Sequence, residues 1–168
     1  MNAGAMGRDM IRNLVSVTCL DEDGEIRSHP SSDLNAQYRS IPDLAHNFVL
    51  QAVFEGSPCA KEEIEEKLEN ARAKRRLSQP SGASAGCIFK NPEEIPAGKL
   101  IDELGLKNAC VGDACVSSVH ANFIINRGHA RARDITILID MIRKEAMENR
   151  GIDLKSEAQV IGDREPQF

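Results

Sequence analysis

Five apolar residues near the C-terminus recur three or four positions apart, and no other feature of the sequence constrains the fold as strongly. They are Ile135, Leu138, Ile139, Ile142 and Ala146. This spacing places all five on one face of a helix, which begins near Asp134 and ends before Gly151. A helix with one apolar face packs against another layer, so we expect these residues to belong to a core.

The first third of the chain has the pattern of strands and turns. Residues 14–20 form a predicted strand that turns at 21–24 and returns over 25–27 as a hairpin arm. Residues 48–54 form the next predicted strand. The polar segment 31–42 between them contains Tyr38, Arg39 and Ser40 and is predicted to be a loop or a short helix.

Short elements also alternate in the second half of the chain. The pattern predicts a helix at 97–104 followed by three strands, at 108–117, 122–126 and 158–161. Glu157 stands at the entry of the last strand. Strands that flank two helices in this order indicate an α+β fold.

A charged segment from Ser57 to Arg76 predicts a surface helix. Its narrow apolar stripe is Ile64, Leu68 and Ala71, which suits packing on one side. Basic residues are clustered near its end: Arg72, Lys74, Arg75 and Arg76. This cluster is either a solvated face or a surface that meets a phosphate group.

Charge and cysteine usage exclude several classes of protein. The formal net charge of -5 argues against a nucleic-acid partner, and no apolar run has the length of about 20 residues needed to span a bilayer. Five scattered cysteines without a C-x-x-C pair predict reduced thiols in a cytoplasmic protein. Three residues are candidate zinc ligands: Cys110, Cys115 and His120. Their spacing matches no usual zinc pattern, so we predict that they are small core residues and bind no metal.

The segment from Ser84 to Pro92 combines a thiol, a cation and an amide in one short extended run. Alternation along a strand would place Cys87, Phe89 and Asn91 on one face and Ile88 and Lys90 on the other. Gly86 allows backbone conformations that other residues avoid, and Pro92 ends the run. The residues alone leave two interpretations open, an active-site strand or a buried edge strand in which Cys87 is a small apolar residue.

An ordered series of motifs resembles the C-terminal half of the UDP-N-acetylenolpyruvoylglucosamine reductase family. The series runs through residues 77–80, 84–92, 97–102 and 116–126. Residues 1–7 (MNAGAMG) are similar to a motif within the family's flavin-binding region, residues 37–40 (QYRS) to its arginine segment, and residues 157–162 (EAQVIG) to its glutamate-bearing strand.

The resemblance implies a flavoenzyme of peptidoglycan synthesis that uses FAD and NADPH to reduce the enolpyruvyl group of a UDP-sugar. It implies that Arg39 holds the substrate carboxylate, Glu157 stabilises the enol form and Cys87 donates the proton. Substrate contacts are implied for Tyr38, Lys90 and Asn91, and cofactor contacts for Asn2, Ala3 and Gly4. The family typically has serine as the proton donor. A thiol, with an ordinary pKa of about 8.5, is a conservative replacement that adds sensitivity to oxidation.

The resemblance also implies a division of the chain. Residues 1–56 would be the remnant of the flavin-binding α+β domain, 57–82 a helix and linker, and 83–168 a small mixed α/β substrate-binding domain. Because the family's glycine-rich flavin region precedes the motif at residues 1–7, we expect a chain truncated at its N-terminus. We also expect a monomer. The alternative is a non-catalytic domain that binds a UDP-sugar without a flavin site.

Overall fold

A computed structural model describes residues 2–161 of the chain. Met1 and Gly162, each at one end of a family-like motif, lie outside this range. The chain is divided into two compact units, residues 1–71 and residues 72–168. The boundary falls inside a long helix, α1 (Lys61–Ser78).

The first unit is built on a three-stranded antiparallel sheet. A small hairpin of β1 (Gly4–Ala5) and β2 (Arg8–Asp9) precedes it. The sheet contains β3 (Leu14–Leu20), β4 (Ile26–Pro30) and β5 (Phe48–Phe54) in the order β4-β3-β5. Short 3-10 turns lie at Met10–Asn13, Ser31–Asp33 and Pro42–Leu44. The predicted hairpin and the strand at 48–54 are confirmed, although the returning arm is longer than expected.

The core of the first unit is small. Its buried cluster is formed by Val17, Cys19 and Leu34. Every residue of β5 is exposed, and α1 has no buried residue among those described. Ile64 and Leu68 are 44% and 50% exposed, so the predicted packing of the α1 stripe on one side is wrong in this structure.

The second unit contains a four-stranded antiparallel sheet and two helices. Its elements are β6 (Ala83–Cys87), α2 (Ala97–Glu103), β7 (Cys110–Val111), β8 (Ala114–Val116), β9 (Phe123–Asn126) and α3 (Ala132–Arg150). The strand order is β6-β9-β8-β7. Antiparallel sheets with separate helices make the fold α+β, as predicted.

Helix α3 supplies one wall of the core of the second unit. Leu138, Ile139, Ile142 and Ala146 are buried in one cluster with residues of α2, β8 and β9. The helix ends at Gly151, whose φ of 66° lies in the left-handed region that glycine adopts readily at helix ends. The helical spacing in the sequence therefore predicted both the core face and the end of α3.

Three expectations for the second unit are wrong. The single strand predicted over 108–117 is instead the hairpin of β7 and β8. Residues 158–161 do not form a strand, and the backbone pairs with Phe89 earlier, at Ser156. Cys110 and Cys115 are joined in a disulfide, contrary to the prediction of reduced thiols. The two residues lie opposite each other in the β7-β8 hairpin, with their Cα atoms 4.1 Å apart, a register that the spacing alone did not reveal. The disulfide also removes two of the three ligands considered for zinc.

No helix within residues 2–161 is long and apolar enough to cross a membrane.

Candidate active site

A bulge at Gly86 sets the position of Cys87 in the second unit. Ser84 is paired with Ile125 across β6 and β9, whereas Cys87 is paired with Phe123, so β6 carries one extra residue between these pairs. Gly86 has a φ of 82°, which residues with a side chain rarely adopt. A bulge of this kind bends the strand and redirects the next side chain. Cys87 carries a thiol and is half-buried at the end of β6.

Burial does not alternate along the residues after Cys87. Ile88 and Phe89 are each only 1% exposed, so both neighbours are buried. Strand β6 ends at Cys87, and the next residues leave the regular ladder to β9. That Cys87, Phe89 and Asn91 share one face stays a prediction.

The segment that carries Glu157 lies directly beside the segment that follows Cys87. The N–H of Glu157 donates to the carbonyl of Ile88 at 2.7 Å, and the N–H of Lys90 donates to the carbonyl of Lys155 at 2.8 Å. Cys87, Lys90 and Glu157, which are far apart in sequence, therefore lie on two neighbouring stretches of backbone. All three residues are half-buried.

Asn91 has a structural contact as well as a predicted substrate contact. Its side chain is exposed, and its Oδ1 accepts a hydrogen bond from the N–H of Ala97 at 3.0 Å. Ala97 is the first residue of α2, so Asn91 satisfies one of the N–H groups that a helix leaves unpaired at its start. The amide nitrogen of Asn91 takes no part in this contact.

Two further residues hold the same region: Asn122, which the sequence analysis did not single out, and His120, which it considered only as a zinc ligand. Asn122 is 2% exposed and bonds both backbone groups of Phe89. His120 accepts a hydrogen bond at Nδ1 from the N–H of Asn122, at 3.2 Å, and its ring lies against Gly98. Burial lowers the pKa of His120, with a smaller contribution from the cation of Lys107. The sequence signal for Asn122 was its place in the family-like motif at residues 116–126.

A basic groove lies at the end of α1 in the second unit. It has a volume of about 370 Å³ and is lined by Arg75, Arg76, Gln79, Pro80, Ser81 and Val119. Two guanidinium groups at one open groove favour an anionic ligand. Arg75 and Arg76 come from the basic cluster for which the sequence left a solvated face and a phosphate contact as alternatives.

Tyr38 and Arg39 occupy a tight turn in the first unit. Gln37 and Ser40 close the turn with backbone hydrogen bonds of 2.8 and 3.2 Å, and Arg39 has a φ of 55°. The guanidinium carbon lies 5.1 Å from the centre of the Tyr38 ring. Arg39 also donates from Nη2 to the carbonyl of Gly4 at 3.4 Å. These contacts fix the direction of the cation.

The N-terminal motif supports this arginine turn. Asn2 is 3% exposed, donates to the carboxylate of Asp9 at 3.0 Å and to the carbonyl of Gln37 at 3.4 Å, and accepts from the N–H of Ile11. A Cβ atom on Gly4 would lie 3.0 Å from Nη1 of Arg39. Asn2, Gly4, Tyr38 and Arg39 are therefore brought together in the first unit.

The three residues for which a flavin contact was predicted differ in how well they fit one. The side chain of Asn2 is engaged on both its nitrogen and its oxygen by protein groups, so it suits an anchor of the turn better than a cofactor contact. The carbonyl of Ala3 accepts from the N–H of Met10 at 2.9 Å. Gly4 leaves space that the arginine fills.

The fold and the site geometry define a class of protein. It is an α+β protein whose second unit carries a thiol and a carboxylate on adjoining segments. Comparison with known proteins agrees with this class. The model of the family described as UDP-N-acetylenolpyruvoylglucosamine reductase, C-terminal domain, matches residues 78–161. The chain belongs to the UDP-N-acetylenolpyruvoylglucosamine reductase family.

Individual relatives carry the same name. The reductase of Protochlamydia amoebophila is 41% identical over 163 residues, which are 96% of this chain and 54% of the relative. That of Bacillus licheniformis is 38% identical over 167 residues, which are 98% of this chain and 91% of the relative. The crystal structure of the enzyme from Thermus caldophilus superposes with a TM-score of 0.82 at 35% identity and covers 95% of this chain and 57% of that one. Apart from the Bacillus licheniformis protein, the chain spans about half the length of these relatives.

Proposed function

We propose that this chain carries the substrate-binding and proton-transfer part of the reaction for which its family is named. The reaction would reduce the enolpyruvyl group of a UDP-N-acetylglucosamine derivative to give UDP-N-acetylmuramate for peptidoglycan synthesis, with residues 83–168 as the substrate-binding domain. The observation that carries this proposal is the pairing of two segments. Cys87 and Glu157 lie on stretches of backbone that meet at the carbonyl of Ile88.

These two groups suit the protonation step. Reduction of an enolpyruvyl group places negative charge on a carbon beside a carboxylate, so the site needs an acid for that carbon. Cys87 is proposed as the acid. Glu157, on the neighbouring segment, is proposed to stabilise the enol form through a hydrogen bond. Partial burial of both residues limits competition from water.

Arg39 is proposed to hold the carboxylate of the substrate. The planar fork of a guanidinium matches a carboxylate in a bidentate pair. Its contacts with the Tyr38 ring and the Gly4 carbonyl set its orientation before a substrate arrives, which lowers the entropic cost of binding. Tyr38, which is exposed, is proposed to touch the substrate as well.

The basic groove is proposed to bind the diphosphate of the UDP-sugar. Arg75 and Arg76 offer two cations to a group that carries two negative charges, although the whole chain is acidic. Lys90 and the amide nitrogen of Asn91 are proposed as further contacts of the substrate. The cation of Lys90 would add to the attraction for an anion.

FAD, which NADPH reduces in this proposal, supplies the hydride when it is bound. Of the three residues proposed to contact it, Ala3 and Gly4 would do so through their backbone, because the side chain of Asn2 is used within the protein.

The proposal is tested by two measurements on the purified chain with FAD added. Isothermal titration calorimetry should detect binding of the enolpyruvyl UDP-sugar, and NADPH should be oxidised only when that sugar is present. Binding without oxidation would favour the non-catalytic UDP-sugar-binding alternative. Absence of both would refute the proposed function.

Two substitutions at Cys87 separate its chemistry from its packing. Cys87→Ser retains a proton donor of the type that the resemblance implies, whereas Cys87→Ala has none. We expect Cys87→Ser to retain product formation. In Cys87→Ala the rate of product formation should fall by about 100-fold or more, and both variants should still bind the sugar. Equal activity of the two variants would contradict the role of Cys87 as the acid.

The groove is tested in the same way. Arg75→Ala and Arg76→Ala should each weaken binding of the UDP-sugar by about ten-fold, which is the usual contribution of a charge-assisted hydrogen bond. Lys74→Ala on the same helix, outside the groove lining, is the matched control and should leave the affinity unchanged. An equal effect of all three substitutions would indicate only a general loss of positive charge.

A further inference from the structure

The side chain of Asn122 bonds the backbone of the residues that follow Cys87, as a neighbouring strand would. Its Oδ1 accepts from the N–H of Phe89 at 2.9 Å, and its Nδ2 donates to the carbonyl of Phe89 at 2.8 Å. The backbone carbonyl of Asn122 accepts from the N–H of Ile88 at 2.9 Å. A single residue therefore satisfies three backbone groups of two neighbouring residues, Ile88 and Phe89.

The opposite edge of the same segment faces the stretch with Glu157. The carbonyl of Ile88 accepts from the N–H groups of Glu157 and Ala158, at 2.7 and 3.3 Å, and Lys90 is bonded to Lys155. Residues 88–90 are thus held between Asn122 on one side and residues 155–158 on the other. The place of Cys87 relative to Glu157 depends on this narrow segment.

The regular sheet cannot set that place by itself. The β6-β9 ladder shifts register between Ser84 and Cys87, and β6 ends at Cys87. Beyond this point Asn122 ties the segment to the β9 side through three hydrogen bonds. We propose that Asn122 is a positioning residue, which fixes the segment after the Gly86 bulge so that the thiol of Cys87 and the segment of Glu157 keep the geometry needed for proton transfer.

This inference rests on the proposed function for its importance, but its test does not require turnover. The half-buried thiol of Cys87 is alkylated by iodoacetamide at a rate set by its access and ionisation, and peptide mass spectrometry measures this rate. Cys59 in the first unit is exposed and serves as the internal reference, and buried Cys19 reports opening of the first unit.

Asn122→Ala should raise the rate of Cys87 alkylation by about three-fold or more relative to Cys59, because the segment loses two hydrogen bonds. Asn122→Asp keeps an acceptor for the N–H of Phe89 but sets a carboxylate oxygen against the carbonyl of Phe89, so it should raise the rate of Cys87 alkylation as well. If Asn122→Ala does not fold, as judged by circular dichroism, the rate of Cys87 alkylation relative to Cys59 is measured in Asn122→Asp instead.

Asn126, the last residue of the strand that follows Asn122, provides a matched control. Its Oδ1 accepts from the N–H groups of Gly128 and Ala130, so Asn126→Ala also deletes side-chain bonds to the backbone, at the other end of β9. We expect this variant to lose stability without a change in Cys87 alkylation. An unchanged Cys87 rate in a folded Asn122 variant, or an equal increase in Asn126→Ala, would overturn the proposal.

A further arm keeps the two proposals distinguishable. Saturating enolpyruvyl UDP-sugar should protect Cys87 in the natural chain and protect it less in Asn122→Ala. If the sugar fails to protect the natural chain, the proposed function fails, whereas the comparison of alkylation rates without sugar still decides the role of Asn122.

Discussion

At the scale of single residues, the second unit uses short polar side chains to satisfy backbone groups where regular structure stops. Asn91 accepts from the first N–H of α2, and Asn122 bonds Phe89 after the end of β6. His120 in turn accepts the N–H of Asn122. Buried backbone groups without a partner are costly, so these side chains stabilise the irregular part of the unit that holds the candidate site.

His120 should make the stability of the protein depend on pH. Burial lowers the pKa of His120 in the folded state, so the unfolded state binds a proton more readily. The stability that neutral His120 contributes is fully present above the pKa of histidine in the unfolded state, about 6.5, and is lost as pH falls through the lower pKa of the folded state. Urea denaturation at several pH values should show that His120→Gln flattens the fall in unfolding free energy on acidification. Parallel curves for the two proteins would contradict this expectation.

The candidate site residues come from the family resemblance, because the local pattern left the role of Cys87 open. Alternation predicts that Cys87 and Asn91 share a face, but β6 ends at Cys87, so no regular strand joins these two residues. The proximity of the Cys87 and Glu157 segments is a tertiary contact between residues 70 positions apart, and no local pattern encodes it. Asn122 was missed because a buried asparagine has no periodic signature.

At the scale of elements, Gly86 is the position where β6 departs from a regular strand. Its φ of 82° strains any other residue, although a Cβ there would have no atom within 4 Å. Gly86→Ala should therefore cost about 1–2 kcal/mol in unfolding free energy through backbone strain alone. Gly56→Ala is the control, since Gly56 is equally open and does not have a positive φ. Equal stability of both variants in denaturant titrations would refute this account of the bulge.

The disulfide between Cys110 and Cys115 should stabilise the β7-β8 hairpin only moderately. It closes a loop of six residues, for which the loss of chain entropy in the unfolded state corresponds to about 2 kcal/mol. Replacing both cysteines with serine should lower the unfolding free energy by about that amount, as measured in urea. Cys59→Ser, an exposed change in the first unit, should have no effect. No loss in the double variant would show that the hairpin register already holds the two strands.

Elements were predictable where one face is buried along the whole length. Helix α3 satisfies this condition, and its core residues and its end at Gly151 follow from the sequence. The strand expected at 158–161 does not form, and the pairing with residues 88–90 is made three residues earlier along the chain, by residues 155–158. The apolar stripe of α1 was misjudged because spacing shows that a face is apolar but not whether anything covers it.

At the scale of the whole molecule, the two units differ in the size of their cores. Among the residues that the structure describes, the buried cluster of the first unit has three members and that of the second unit has fourteen. Burial of apolar surface is the main favourable term in folding, at about 25 cal/mol for each Å² removed from water. The second unit should therefore be the more stable part of the chain.

This difference predicts an order of protection in native-state hydrogen exchange. Amides of β8 and of residues 138–146 in α3 should exchange at least about ten-fold more slowly than those of β3, because local opening of a unit with a small core costs less free energy. Mass spectrometry of peptides from the intact chain measures both sets in one sample. Cys19 in β3 gives an independent check, since its thiol is buried and reacts only when that unit opens. Equal protection of the two sets would mean that core size does not decide the order, and that the exposed β5 and α1 surfaces are covered in solution.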